Sequence, residues 1–377
     1  MSSSPSPQQS SLLPDDDLPD AVALAMAAAL RGRDGHYDEL RGRPSPCGPG
    51  GLAPLWQQFF AATGIAGWQD LGARAAHVQR RVRDDGASYN MHDAGSEGER
   101  VWPLELLPML VDADEWQHIE RGVQQRARLL NAALADVYGA RSLLDEGLLP
   151  PSLVLAHPQY LRPMHGCVPP GGVHLHVVAI DLARGPGGHW WVAGQRTQAP
   201  SGLGYMLENR LIIAQQFPEA FRSLSVQRLG ASFQTLLRGL QRLSPEGERA
   251  SVALLTPGPH SETYFEHAFL ARYLGISLVE GADLTVRENR VYLKTLRGLE
   301  RVHVLLRRVD DDYLDPLELR PDSALGVPGL LQALRAGELV LANAPGAGWL
   351  ESPGLAAFWP GVSRRLLGEE LLLPATT

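Results

Sequence analysis

Residues 195–210, Gln-Arg-Thr-Gln-Ala-Pro-Ser-Gly-Leu-Gly-Tyr-Met-Leu-Glu-Asn-Arg, gather chemistry-bearing side chains at close spacing. Two polar clusters, Gln195-Arg196 and Glu208-Asn209-Arg210, flank a flexible centre of Pro200, Ser201, Gly202 and Gly204. A guanidinium suits phosphate oxygens, and carboxylate and amide oxygens suit a hard cation such as Mg²⁺. The stretch reads either as a nucleotide and metal edge or as a surface hairpin with a salt-bridged rim.

Three further stretches carry possible chemistry. Arg307-Arg308-Val309-Asp310-Asp311-Asp312 follows the apolar run 302–306. Two guanidiniums with three carboxylates could hold a carboxylate or phosphate beside a metal, or close on themselves as a salt-bridged loop. Thr256-Pro257-Gly258-Pro259-His260-Ser261 lies between a strand signal and a helix signal. Free N–H groups at a helix start favour anions, although two prolines there remove donors. Asn343-Ala344-Pro345-Gly346-Ala347-Gly348 is a small-residue loop that would let a ligand approach the backbone, and Glu351 follows it.

Other chemistries lack their residues. No GxGxxG, GxxxxGK[ST] or GxSxG pattern occurs, so dinucleotide, P-loop and α/β-hydrolase readings have no anchor. The two cysteines, Cys47 and Cys167, form no CxxC pair, and His174 with His176 lacks further spaced ligands for zinc. The net charge of −8 argues against nucleic acid. No apolar run reaches membrane-spanning length. Residues 21–30 follow an acidic segment rather than the basic one a signal peptide needs, so a cytoplasmic protein is expected.

The 377 residues suit two or three domains. Residues 1–19 are too poor in apolar side chains to order and read as a disordered tail. Helical periodicity dominates 20–149, most clearly over 113–138, where Trp116, Ile119, Val123, Ala127, Leu130 and Leu134 form one stripe. Strand signals follow at 153–156, 174–182 and 190–193, then helix over 207–243. Ser244–Glu248 reads as a linker. Residues 251–346 alternate strand and helix, which predicts a parallel or mixed α/β sheet with a crevice at the strand ends. The expected division is thus 1–19, 20–149, 150–243 and 250–374.

Taken in order, several segments resemble one family. They are Tyr89-Asn90, Trp102–Leu107, Gln125–Asn131, Arg196–Arg210, Thr256–Pro259, Glu262–His267, Val279–Gly281, Asp283-Leu284, Leu305–Asp312, Asp315–Arg320 and Asn343–Ser352. Over about residues 35–374 the chain is similar to the circularly permuted type 2 ATP-grasp proteins, distant relatives of glutathionylspermidine synthetase. The resemblance implies an α/β, overall α+β, ATP-grasp-like fold with a helical N-terminal region and a Rossmann-like pre-ATP-grasp domain. It implies an ATP-dependent, Mg²⁺-requiring carboxylate–amine ligase working through an acylphosphate. Small-molecule or peptide carboxylates and amines are the implied substrates.

By the same resemblance, Glu208 and Asn209 are the Mg²⁺-ligand candidates. If 207–210 is extended, neighbouring side chains point to opposite faces and Glu208 is favoured. Arg196 and Arg210 would face phosphate, and Arg307 and Arg308 the substrate, with Thr256–His260, Asp310 and Asn343 beside them. Ser201, Gly202, Gly204, Thr256, Gly258, Asn343 and Gly346 are the cofactor-binding candidates. The family pattern has an aspartate where this chain has Gln195, and it continues beyond about residue 374 into lysine-bearing strands that grip ATP. The single lysine here is Lys294. The chain is therefore expected to be an N-terminal fragment of the complete enzyme. The alternative is an inactive or split component acting through a partner chain that supplies the missing half.

Overall fold

The computed structural model describes residues 35–42, 52–93 and 96–375. The expected tail, the first residues of the expected helical region 20–149 and Cys47 lie outside the described residues.

A four-stranded parallel sheet organises the C-terminal half, formed by β5 (Val252–Leu255), β6 (Ser277–Val279), β10 (Val304–Arg307) and β11 (Val340–Ala342). Their spatial order is β11-β10-β5-β6, with Leu254 opposite both Leu278 and Leu306. Short, uninterrupted apolar runs suit strands covered on both faces, and every residue of β5, β10 and β11 is buried. Side chains alternate between two cores, as a two-residue period requires. Ala253, Leu255, Leu305 and Leu341 face one cluster, and Val252, Leu254, Leu306 and Val340 face the other.

The connections fix where a crevice opens. From β5 the chain runs through the helix Tyr264–Leu274 to β6 on one side. It then crosses to β10 on the other side of β5, by way of an antiparallel meander of β7 (Leu284–Arg287), β8 (Arg290–Thr295) and β9 (Gly298–Val302). The β5/β10 junction is thus a topological switch point, where diverging connections leave space beyond the strands' carboxyl ends.

Four helices matter for the site. α1 (Leu71–Asp84) belongs to the N-terminal region, and α2 (Ala113–Val137) is the long amphipathic helix. α3 (Leu203–Gln216) and α4 (Tyr264–Leu274) pack against each other. Asp112 caps α2 by accepting the Glu115 N–H. The buried face of α2 is turned from the expected stripe: Trp116 is exposed, whereas Gln125 and Arg126 are buried.

Several expected elements differ. Residues 153–156 are not a strand, because Pro151 starts a single helical turn, Pro151–Val154. The strand expected at 174–182 begins only at β3 (Ala179–Arg184), which pairs with β4 (Trp190–Arg196). A hairpin, β1 (Ser88–Asp93) with β2 (Ser96–Val101), interrupts the helical N-terminal region. The 207–243 helix is three helices, Leu203–Gln216, Pro218–Ser223 and Gly230–Arg242. Among the described residues no helix is long and apolar enough to cross a membrane.

Candidate functional site

The switch point holds a cleft of about 370 Å³. Pro257 enters from the end of β5, and Arg308, Val309 and Asp310 from the end of β10. Ser201 arrives from the turn after β4, Thr263 and His267 from the start of α4, and Tyr89 from β1. The Tyr89 hydroxyl donates to Glu262 Oε2 at 2.5 Å, which raises the phenol's pKa.

Arg308 is the guanidinium of this cleft, which the Glu262 and Asp310 carboxylates also line. Its side chain is 2% exposed, and its Nε and Nη2 have no hydrogen-bond partner. The carboxylate beside it, Glu266 Oε1, stands 3.7 Å from Nη2. That carboxylate is already engaged, accepting the Gly202 N–H at 2.7 Å and the Gly204 N–H at 3.5 Å at the start of α3. Burial lowers the pKa of Arg308, and the neighbouring Arg307 lowers it further. A buried guanidinium with unmade hydrogen bonds favours an incoming oxyanion. Burial raises the Asp310 carboxyl, with Asp312 and Glu351 adding to the rise against the pull of Arg307.

Behind the cleft, a buried bracket holds the approaching loops. Arg307 is wholly buried, donating from Nε to Asn343 O and from Nη1 to Val309 O, both at 2.8 Å, and pairing with Asp311 at 2.5 Å. Asp311 also accepts the Gly346 N–H. Asn343 uses its whole amide: Oδ1 accepts the His176 and Val177 N–H groups, and Nδ2 donates to Val177 O and Thr197 O. Glu351 Oε1 accepts the Thr197 and Gln198 N–H groups at 2.6 and 2.8 Å. These bonds clamp the segment after β4 against the loop after β11. Gly346 has φ +85°, and a Cβ there would lie 2.3 Å from Tyr138 Oη.

The expected site residues therefore separate into groups. Ser201 and Arg308 line the cleft. Gly202 and Gly204 donate their N–H groups to Glu266 beside Arg308, and Thr256 sits behind His267 with Nδ1 2.9 Å from its hydroxyl. Gly258 packs beside the Glu280 carboxylate. Arg307, Asn343 and Gly346 belong to the bracket. Arg196 is exposed at the end of β4, paired with Asp181 at 2.7 Å.

Glu208, Asn209 and Arg210 diverge, because 207–210 is helix rather than extended chain and successive residues turn away from one another. Asn209 Oδ1 accepts from Trp102 Nε1. Arg210 stacks over Phe221 and donates to Gln227 O. Glu208 faces a second, 220 Å³ cavity with Arg81, Asp85 and Arg272. Burial, and then the Asp85 carboxylate, push Glu208 up to about 7. Glu208 and Asn209 do not converge on one point, and the described residues hold no group of three or more His, Cys, Asp or Glu side chains placed for a metal. Gln195 is likewise occupied, accepting from Arg126 Nε at 2.9 Å and donating to Leu350 O at 2.7 Å. His174 and His176 lie ahead of β3, and burial holds both near a pKa of about 4.

Sequence reasoning gave no role to Glu266, His267 or Thr263. Their signal was an adjacent acid and imidazole within the apolar run Tyr-Phe-Glu-His-Ala-Phe-Leu of α4. Both are buried, at 0% and 1% exposure.

The model of the family described as circularly permuted ATP-grasp type 2 matches residues 108–377. An uncharacterized protein of Mycobacterium bovis is 40% identical over 333 residues, covering 86% of this chain and 38% of that protein. One of Synechocystis is 38% identical over 289 residues, covering 76% of this chain and 60% of its own length. The chain thus spans less than two thirds of the length of each of these relatives. A solved glutathione synthetase-like effector of Globodera pallida, in apo form, matches 80% of this chain and 68% of its own with a TM-score of 0.51 at 14% identity, a likeness of fold. With a mixed helix and sheet architecture and a family match over most of its length, the chain belongs to the circularly permuted ATP-grasp type 2 family.

Proposed function

We propose that this chain serves an ATP-dependent, Mg²⁺-requiring carboxylate–amine ligase, and that the switch-point cleft seats the anionic end of a small-molecule or peptide substrate. Arg308 carries the reading: it is buried at the cleft wall, its Nε and Nη2 make no hydrogen bond, and the Glu266 carboxylate 3.7 Å from Nη2 is committed to a helix start. In such a reaction a carboxylate takes the γ-phosphoryl group of ATP, and an amine then displaces phosphate to leave the amide, ADP and phosphate. The chain's own part is to bind and orient. Arg308 draws in the anion, and Ser201 and Thr263 contact it from the facing loops. The bracket of Arg307, Asn343 and Glu351 keeps those loops in place. ATP and Mg²⁺ enter through the family, and no step is assigned to the ion, since the proposed ligands Glu208 and Asn209 point apart.

The test is calorimetry of ATP with Mg²⁺, and ADP release with mixed carboxylates and amines. It is run on this chain and on a form extended to the length of its relatives. The ligase reading predicts ATP binding by the extended form and its loss of turnover in Arg308→Met. Absence of ATP binding by both forms sinks it.

A second reading, a non-catalytic component working with a partner chain, draws on Gln195. Both ends of its amide are consumed by Arg126 and Leu350, and a neutral amide is a poor divalent-ion ligand. Gln195→Asp separates the two readings. A gain of Mg²⁺-dependent ATP binding in that variant favours the component reading, whereas equal binding before and after favours the ligase. A cytoplasmic location belongs to either reading.

A further inference from the structure

Three hydrogen-bonding contacts in series lead into the cleft. They begin at the Gly258 N–H, which donates to Thr256 Oγ1 at 3.2 Å. A backbone N–H cannot accept, so the direction of the first bond is fixed. Thr256 is 1% exposed, and its hydroxyl proton needs an acceptor inside the protein. His267 Nδ1 stands 2.9 Å from that oxygen. An Nδ1 that accepts leaves the proton of a neutral imidazole on Nε2. His267 Nε2 lies 3.0 Å from Thr263 Oγ1, and with that tautomer it is the donor to it. Burial, and then the Arg308 charge, lower the His267 pKa to about 3, so the imidazole is neutral at ordinary pH. Thr263 is half-buried, lines the cleft with Arg308, and retains its own hydroxyl proton for an acceptor there.

We infer that His267 is a positioning residue: it fixes the Thr263 hydroxyl as a hydrogen-bond donor into the cleft beside Arg308, and so helps select a carboxylate as the group seated there. The inference rests on the cleft being an anion seat, and it adds the residues that set hydrogen-bond direction. A hydroxyl free to rotate would accept as readily as donate. One held by an imidazole N–H meets an acceptor-only carboxylate with the correct polarity, and is mismatched to a phosphate oxygen that keeps its proton. Thr256 and His267 contact no ligand; they act through Thr263.

The test combines NMR with calorimetry on the full chain, using succinate and inorganic phosphate as probes. Nitrogen chemical shifts of His267 are expected to report the Nε2–H tautomer, unchanged between pH 8 and 5. An Nδ1–H tautomer, or a protonated ring in that range, overturns the inference without touching the reading of the cleft. Thr263→Val should weaken succinate binding about tenfold, the scale of one hydrogen bond to a charged group, and Thr263→Ser should restore it. His267→Phe should cost a similar factor in wild type and nothing further in Thr263→Val, because both act on one donor. Multiplying losses, or full affinity in Thr263→Val, overturn the inference even if His267→Phe folds poorly. Tighter binding of phosphate than succinate overturns the carboxylate assignment. Binding of neither probe by the unsubstituted chain overturns the anion seat itself.

Discussion

Asn343 shows how one amide can join three segments. Asn343 is 2% exposed, and its four side-chain hydrogen bonds tie residues 176–177, Thr197 and the end of β11 together. Asn343→Ala would leave two N–H and two C=O groups without partners. Each buried unmade bond costs about 1–3 kcal/mol, partly relieved by relaxation, so a loss of about 3–5 kcal/mol is expected in urea unfolding. A loss below about 1 kcal/mol would show that the bracket is not what holds the 197–202 segment. That Arg307 and Asn343 would stand at the ends of strands was legible from their places after apolar runs. Which atoms they would touch was not, because His176 and Thr197 are distant in sequence and only packing brings them to the amide.

Helix α3 carries the lesson at the scale of elements. Residues 195–210 invite a hairpin reading, yet the chain turns into helix at Leu203 because Glu266 of α4 accepts the Gly202 and Gly204 N–H groups at its start. A carboxylate is favoured at a helix N-terminus, and this one comes from 62 residues away. The two helices approach so closely at Gly204 that a Cβ there would lie 2.6 Å from Glu266 Cγ and 2.9 Å from its carbonyl oxygen. Gly204→Ala is therefore expected to destabilise the protein by about 1–3 kcal/mol through overpacking, although alanine is the better helix former. Thermal unfolding checks this, and an unchanged or raised midpoint would mean that α3 and α4 can part without cost. The periodicity of α2 was visible from sequence, but its buried face was displaced. Gln125 and Arg126 find acceptors in Glu369, Glu370 and Gln195, which lets polar residues occupy the core side.

Across the whole molecule, three buried imidazoles and the Glu208 carboxyl contribute in opposite senses to the response to pH. Burial lowers His174 and His176 to about 4 and His267 to about 3. As pH falls below about 6.5 the unfolded chain binds protons on these rings that the native state refuses, so stability is lost on acidification. Glu208, raised to about 7, works the other way: its native carboxyl takes up a proton before the unfolded one does. Among these four groups the three rings outweigh the one carboxyl, and together they contribute a loss of about 3 kcal/mol between pH 7 and 5. Glu208→Gln should deepen that acid loss by about 2 kcal/mol. Urea midpoints at the two pH values measure both, and stability rising toward pH 5 would contradict the assignment of neutral buried rings. By itself the sequence determined the α/β alternation over 251–346, the long helix near 113–138 and, through an ordered set of segments, the family. Those properties are written in local periodicity and residue order. Only the tertiary structure decided that β5 and β10 flank a switch point, that Arg308 is left with unmade hydrogen bonds, and that Glu208 turns away from it toward Asp85. Burial and hydrogen-bond partners are set by segments meeting across long stretches of chain, and no local pattern encodes which segments meet.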